Sequence, residues 1–236
     1  MPTGLGDEQL WLCPSLDDSA SDISTNATSV SYFNGLSTTA DTTSGGTRAY
    51  DFDAGTVGVD CGDILDTEIW TTGNPFTLTG WAKVGSDGVV LLSKLGDSNS
   101  TPVASNNRQF LFRVRDSSGL RIELVYYPGT LSSNDYRVYN SIPTVSVGTW
   151  YHFTVVYSGP TSTNVGPLFY IDGVKVSGQL DGTGGNDNAP MLDGAASVAS
   201  GLGLEGVNYT GARGGRADDI RVFDRALTQA EITHLA

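Results

Sequence analysis

Positive charge, glutamate, histidine, sulfur and long apolar runs are all scarce in this chain of 236 residues, and each scarcity excludes something. Lys and Arg number 13 against 26 Asp and Glu, a formal net charge of −13, so binding to nucleic acid or to an anionic membrane surface is disfavoured and no nucleic-acid partner is expected. No stretch approaches the roughly 18 consecutive apolar residues that a membrane-spanning helix needs. The first residues, Met1 to Glu8, carry neither a basic n-region nor an apolar h-region, so no signal peptide is expected in this chain. Glutamate occurs only at Glu8, Glu68, Glu123, Glu205 and Glu231, and histidine only at His152 and His234. Acid–base and nucleophilic catalysis draw on those residues. Here no two glutamates share an alternating strand, and there is no GxSxG elbow, phosphate loop or dinucleotide fingerprint. The two cysteines, Cys13 and Cys61, are too few for a disulfide scaffold and lack CxxC spacing. Half-buried free thiols are the expectation. The alternative is a Cys13–Cys61 bridge contributing about 4 kcal/mol through the unfolded state.

What is present is glycine, at 30 residues, together with Asp, Asn, Ser and Thr between short β-branched and aromatic runs. Phe76–Val84 alternates Phe76, Leu78, Gly80, Ala82 and Val84 against Thr77, Thr79, Trp81 and Lys83, the period of a half-buried strand. The same reading applies to 89–95, 109–115, 120–127, 136–140, 150–157, 167–171 and 217–223. Asp172-Gly173 between two β-branched runs predicts a hairpin, because both turn positions must accept positive φ. The stretch 177–196 reads as one long irregular loop, functional or mobile. Trp81, Trp150 and His152 read as core and near-core packing. Arg221, flanked by Ile220 and Val222, should point away from them towards a carboxylate.

One helix is predicted, at the C-terminus. Thr228-Gln-Ala-Glu231 is a capping box, and Leu227 with Ile232 forms its hydrophobic staple. Many short strands without repeat or linker predict an all-β, two-sheet antiparallel β-sandwich in a single domain, 1–236, with a short C-terminal helix.

The order of motifs along the chain resembles the laminin G-like, concanavalin A-like jelly-roll family. The resemblance is carried by 11–18 and 22–28, Tyr50-Asp-Phe-Asp53, 76–82, Leu92-Ser-Lys94, 148–153, 168–174 and 218–227. It implies a non-catalytic recognition module for a glycan, a surface polysaccharide or another surface ligand. It also implies a structural calcium ion held by Asp218 and Asp22. Calcium needs six to eight oxygens from converging loops. The alternative is that Asp22 caps a turn while Asp218 pairs with Arg216 or Arg221. The Glu-x-Asp-x-x-Glu signature of the family's glucan-cleaving members is absent, and Asp51 with Asp53 reads as turn capping at a strand end.

Candidate ligand-binding residues are Asp181, Asn186 and Asp187 in the Gly- and Asn-rich stretch, with Tyr127 and Tyr136 bracketing another polar loop. Loops at the ends of a sandwich are where binding residues gather. A second role on the same fold is structural: a capsid decoration or fibre protein of a phage or virus, contacting neighbouring particle proteins or assembling as an oligomer. Either role places the chain on an extracellular surface or in a virion.

Overall fold

The computed structural model describes residues 5–12, 24, 26, 29–33, 35–41, 48–53, 57–65, 74–86, 88–95, 108–116, 118–127, 136–159, 166–184, 198–201 and 214–236. Among them the strands run β1 (Glu8–Leu12), β2 (Ser31–Phe33), β3 (Ser37–Thr39), β4 (Ala49–Asp51), β5 (Gly58–Asp60), β6 (Phe76–Val84), β7 (Gly88–Leu95) and β8 (Arg108–Asp116). There follow β9 (Leu120–Tyr126), β10 (Tyr136–Ser141), β11 (Trp150–Tyr157), β12 (Leu168–Ile171), β13 (Val174–Val176), β14 (Gly178–Gly184), β15 (Val198–Ser200), β16 (Gly215–Phe223) and helix α1 (Gln229–Leu235). One antiparallel sheet has the order β13-β12-β11-β6-β16-β4-β3, with β1 also on β16; the other runs β14-β10-β9-β8-β7-β15-β5-β2. The architecture is an all-β sandwich. No helix among the described residues is long and apolar enough to cross a membrane.

Alternation decides which side chains fill the space between the sheets. Phe76, Leu78, Ala82 and Val84 of β6 join Phe153 and Val155 of β11, Phe110, Phe112 and Val114 of β8 and Ile122 and Leu124 of β9 in one buried cluster. The intervening Thr77, Thr79, Trp81 and Lys83 face outward. Trp81 and Trp150 therefore lie on the outer face of their sheet and not between the sheets: Trp81 packs on His152 at 5.3 Å, and Trp150 Nε1 donates to Asp41. Both tryptophans hold the parity of Thr79, while the smaller Gly80 and Ala82 hold the inward parity where β16 packs close.

A bulge on β16 sets its outward face. Asp218 lies opposite Trp81 and Arg221 opposite Thr79, a register shift that fits one extra residue. Asp219 absorbs it at φ 54°, and Gly80 leaves room, since a Cβ there would lie 3.2 Å from Ile220 Cγ1. Bulges bend a strand and re-aim its side chains. Here Asp218 and Arg221, three residues apart, point outward while Ile220 and Val222 enter the core.

The C-terminal helix forms as its capping box predicts. Glu231 N–H donates to Thr228 Oγ1 and Thr228 N–H to Glu231 Oε2. Leu227, Ile232 and Leu235 pack with Val156, Tyr170 and Phe223 on the outer face of the first sheet. The stretch from 177 departs from expectation: residues 178–184 form β14, paired with β10 along Tyr136–Ser141. A ladder is made by backbone groups, so a Gly- and Asp-rich segment serves as an edge strand when a neighbour supplies the register. Cys61 is buried, 1% exposed; Cys13 lies outside the described residues.

Candidate functional site

β13 ends one sheet and β14 ends the other, and Ser177 alone separates them. Where the chain crosses between sheets it borders a cleft of about 450 Å³. Arg137 and Tyr139 enter it from β10, Leu168 from β12, Lys175 from β13, and Gln179 and Leu180 from β14. Arg137 and Tyr139 sit opposite the core residues Tyr126 and Leu124, so β10 aims them between the sheets. Two glycines let the chain approach rings at the wall: a Cβ on Gly166 would lie 2.4 Å from Tyr139 Cε1, and one on Gly178 2.6 Å from Phe169 Cδ2.

Among the described residues, Arg137 and Lys175 are the ionisable groups of the cleft besides Tyr139. Arg137 is 3% exposed and donates through Nη1 to the Tyr136 carbonyl at 3.1 Å, while Lys175 is exposed at the rim. Beneath them Tyr126 stacks on Tyr139 at 6.1 Å and meets Tyr157 edge-on at 5.4 Å. Burial, then the neighbouring phenols, push the Tyr126 hydroxyl well above its ordinary pKa, and burial raises Tyr157 to about 12. Both therefore stay neutral. Among the described residues no Asp, Glu or His lines the cleft.

The outer face of the first sheet carries a second polar group of residues. His152 is 2% exposed, with Nε2 at 2.8 Å from Thr79 Oγ1, which in turn lies 2.8 Å from Thr154 Oγ1. His152 Nδ1 is buried without a hydrogen-bond partner. Burial, with the Arg221 guanidinium adding to it, drives the imidazole pKa down to about 3, so the ring is neutral. Arg221 itself pairs with Asp219 at 2.9 Å and Glu8 at 3.5 Å. Further along this sheet Asp41 accepts from Lys83, Arg216 and Trp150; the Lys83 hydrogen bond is the chief reason its carboxyl pKa is lowered. Asp51 and Asp53 cap the strand end as expected: Asp53 N–H donates to Asp51 Oδ1, and Gly215 N–H to Asp53 Oδ1.

The residues singled out from the sequence fall in different places. Asp218 is 2% exposed on the outward side of β16. Asp22, its expected calcium partner, lies outside the described residues, as do Asn186 and Asp187. Among the described residues no three His, Cys, Asp or Glu side chains converge as a metal cluster, so of the expected calcium donors this part of the chain supplies Asp218. Asp181 is exposed on β14, next to Leu180 but not lining the cleft. Tyr127 is 5% exposed and packs with Tyr136, Val90, Leu111 and Val125 on the outer face of the second sheet. The structure thus brings Tyr127 and Tyr136 together, and Tyr136 lies on the strand neighbouring the one that carries Asp181. Arg137 and Lys175 were not among the candidates from sequence. One signal was available: in a strand alternating Tyr136, Val138 and Asn140 outward, an arginine at the inward parity is an anomaly.

A family model described as the Concanavalin A-like lectin/glucanases superfamily matches residues 53–233. None of the curated proteins matches the chain. Among solved structures, the binding domain of Paraclostridial Mosquitocidal Protein 1 superposes with a TM-score of 0.70 at 14% identity, over 97% of this chain and 51% of that one. The botulinum neurotoxin serotype G binding domain gives 0.68 at 10% identity, over 97% and 50%. The serotype D ligand binding domain in complex with N-acetylneuraminic acid gives 0.61 at 12%, over 97% and 50%. The chain spans about half the length of these structures, and at such identities the likeness is one of fold.

Proposed function

Because the chain belongs to the Concanavalin A-like lectin/glucanases superfamily, which spans sugar binders and sugar-cleaving enzymes, we propose that it is of the first kind: a non-catalytic module recognising a glycan or another surface ligand. The observation that carries this reading is the make-up of the cleft, lined among the described residues by Arg137, Lys175, Tyr139 and Gln179 with no carboxylate and no histidine. Such a site can hold a sugar through donors and apolar walls but lacks the carboxylate pair, about 5 Å apart, of a retaining glycosidase.

The described glutamates support the same reading, because each is already held. Glu8 accepts from the Leu5 and Gly6 N–H groups at 2.9 Å; Glu123 is bound by Arg113 at 2.6 Å; Glu231 is bound by Arg225 and Thr228 at 2.8 Å. They lie by β1, on the outer face of the second sheet and in α1, on separate parts of the molecule. The serotype D domain, half of which this chain matches, was solved with N-acetylneuraminic acid, which supports a sugar as the class of ligand to test. Calcium is a separate proposal resting on Asp218, which would supply one hard oxygen ligand and tie β16 to an adjoining segment.

Equilibrium binding of the whole chain to an oligosaccharide array, with reducing-end release measured in parallel, tests the reading. Saturable binding without release is expected. Release at catalytic rates overturns it, and so does absence of all glycan binding. Stoichiometric recovery in purified particles, without glycan affinity, would favour the assembly role.

A further inference from the structure

We propose that the outer face of the first sheet carries a second ligand surface, in which Trp81 and Trp150 stack on the sugar rings of a neutral oligosaccharide; this rests on the recognition reading above and adds a place to it. Trp81 of β6 and Trp150 of β11 are diagonal neighbours, since Trp150 lies opposite Lys83 and Trp81 opposite His152. Diagonal partners on adjacent strands stand roughly 7–8 Å apart, so both indoles can serve one short chain of sugars. Both are half-buried at outward parity, and the Trp81 ring is backed by His152 at 5.3 Å. An indole that a sheet face leaves partly in water is a large apolar surface still available for contact.

The setting of the rings favours a sugar. Trp150, Lys83, Arg216 and Asp51 form one row across β11, β6, β16 and β4. Asp41 joins that row, accepting from Trp150 Nε1 at 3.3 Å, from Lys83 Nζ at 2.7 Å and from Arg216 Nη1. One carboxylate thereby ties side chains of three strands together and holds the Trp150 ring before a ligand arrives, which lowers the ordering cost of binding. The side chains of Lys83 and Asp41 stay 27% and 37% exposed, so a donor and an acceptor that sugar hydroxyls can share lie beside an apolar ring that can cover a C–H face. Protein interfaces are depleted of Lys and Asp at their centres, which counts against a protein partner here. The charges favour a neutral ligand. Arg216 pairs with Asp41, and with Asp51 and Asp53 at 3.6 Å each, so an incoming anion would meet a cation already matched and three carboxylates that repel it.

The test uses the whole chain with a panel of neutral oligosaccharides and their sialylated or sulfated counterparts. Hydroxyl-radical footprinting, read by mass spectrometry at each tryptophan, is run on wild type with and without saturating ligand. Calorimetry compares wild type, Trp150→Ala and Trp150→Phe. A neutral member should bind and protect Trp81 and Trp150 from oxidation. Trp150→Ala should lose about tenfold in affinity, and Trp150→Phe, which keeps an aromatic face, should lose less. Footprinting needs no variant, so it decides the matter if Trp150→Ala does not fold. Binding that leaves both tryptophans as reactive as before, unchanged affinity in folded Trp150→Ala, or binding confined to the acidic members overturns this inference and leaves the recognition reading intact. Absence of binding to every member, neutral or acidic, overturns both.

Discussion

Acid should unfold this protein earlier than its carboxylates require, because of His152. Its imidazole is 2% exposed and its pKa is lowered from 6.5 to about 3, by burial first and by Arg221 second. The folded chain keeps the ring neutral while the unfolded chain takes up a proton below 6.5. Stability from this site is therefore complete above pH 6.5, declines as pH falls from there towards about 3, and levels off below. One proton taken up only on unfolding costs about 1.4 kcal/mol per pH unit, so near pH 5 the loss is about 2 kcal/mol. The window between about pH 7 and about pH 5 isolates the effect. The lowered Glu231 pKa, near 2 because of Arg225, shifts stability only as pH falls below 4.5, and Asp41 acts below 3.8. The perturbation is His152→Gln, which keeps a partner for Thr79 and cannot titrate. Urea unfolding at several pH values, with His234→Gln at an exposed position of α1 as control, should show wild type and control losing about 2 kcal/mol more than His152→Gln across that window. Identical pH dependence in all three proteins would refute the reasoning.

Three further outcomes follow from particular contacts. Glu123→Gln should cost about 3–5 kcal/mol in urea unfolding, because it leaves Arg113, 6% exposed, as an uncompensated buried charge; replacing both by leucine should recover most of that. Gly178→Ala should cost about 1–3 kcal/mol, since its Cβ must displace the Phe169 ring from 2.6 Å, and calorimetry should show weaker binding in the cleft that Gly178 lines. If Asp218 holds calcium, chelator should lower the thermal midpoint of wild type and leave Asp218→Asn unmoved; an unchanged wild-type midpoint, with no metal by elemental analysis, removes the calcium proposal.

Strand positions in the middle of the chain were legible because each of β6 to β12 carries its own alternation. The C-terminal helix was legible because capping box and staple are local codes. Arg221 was legible in direction, flanked by two core residues, though its partners Asp219 and Glu8 were not. β14 was not legible. Its glycines carry no hydrophobic period, and only the free edge of β10 makes it a strand. Trp81 and Trp150 were misread for a related reason: size suggested the core, but parity with Thr79 and Lys83 put them on the outer face.

The amino-acid sequence by itself determined an acidic all-β chain with a capped terminal helix, few glutamates and two histidines. These are properties of composition and of short-range periodicity, readable within a few residues. Tertiary structure alone decided that Arg137 and Lys175, 38 positions apart in the chain, line one cleft, that Tyr127 and Tyr136 lie on another face, and that His152 is sealed beside Arg221. The reason is that pairing between strands distant in sequence sets which side chains become neighbours. That pairing depends on register and on the bulge at Asp219, which the residues of a single strand do not encode.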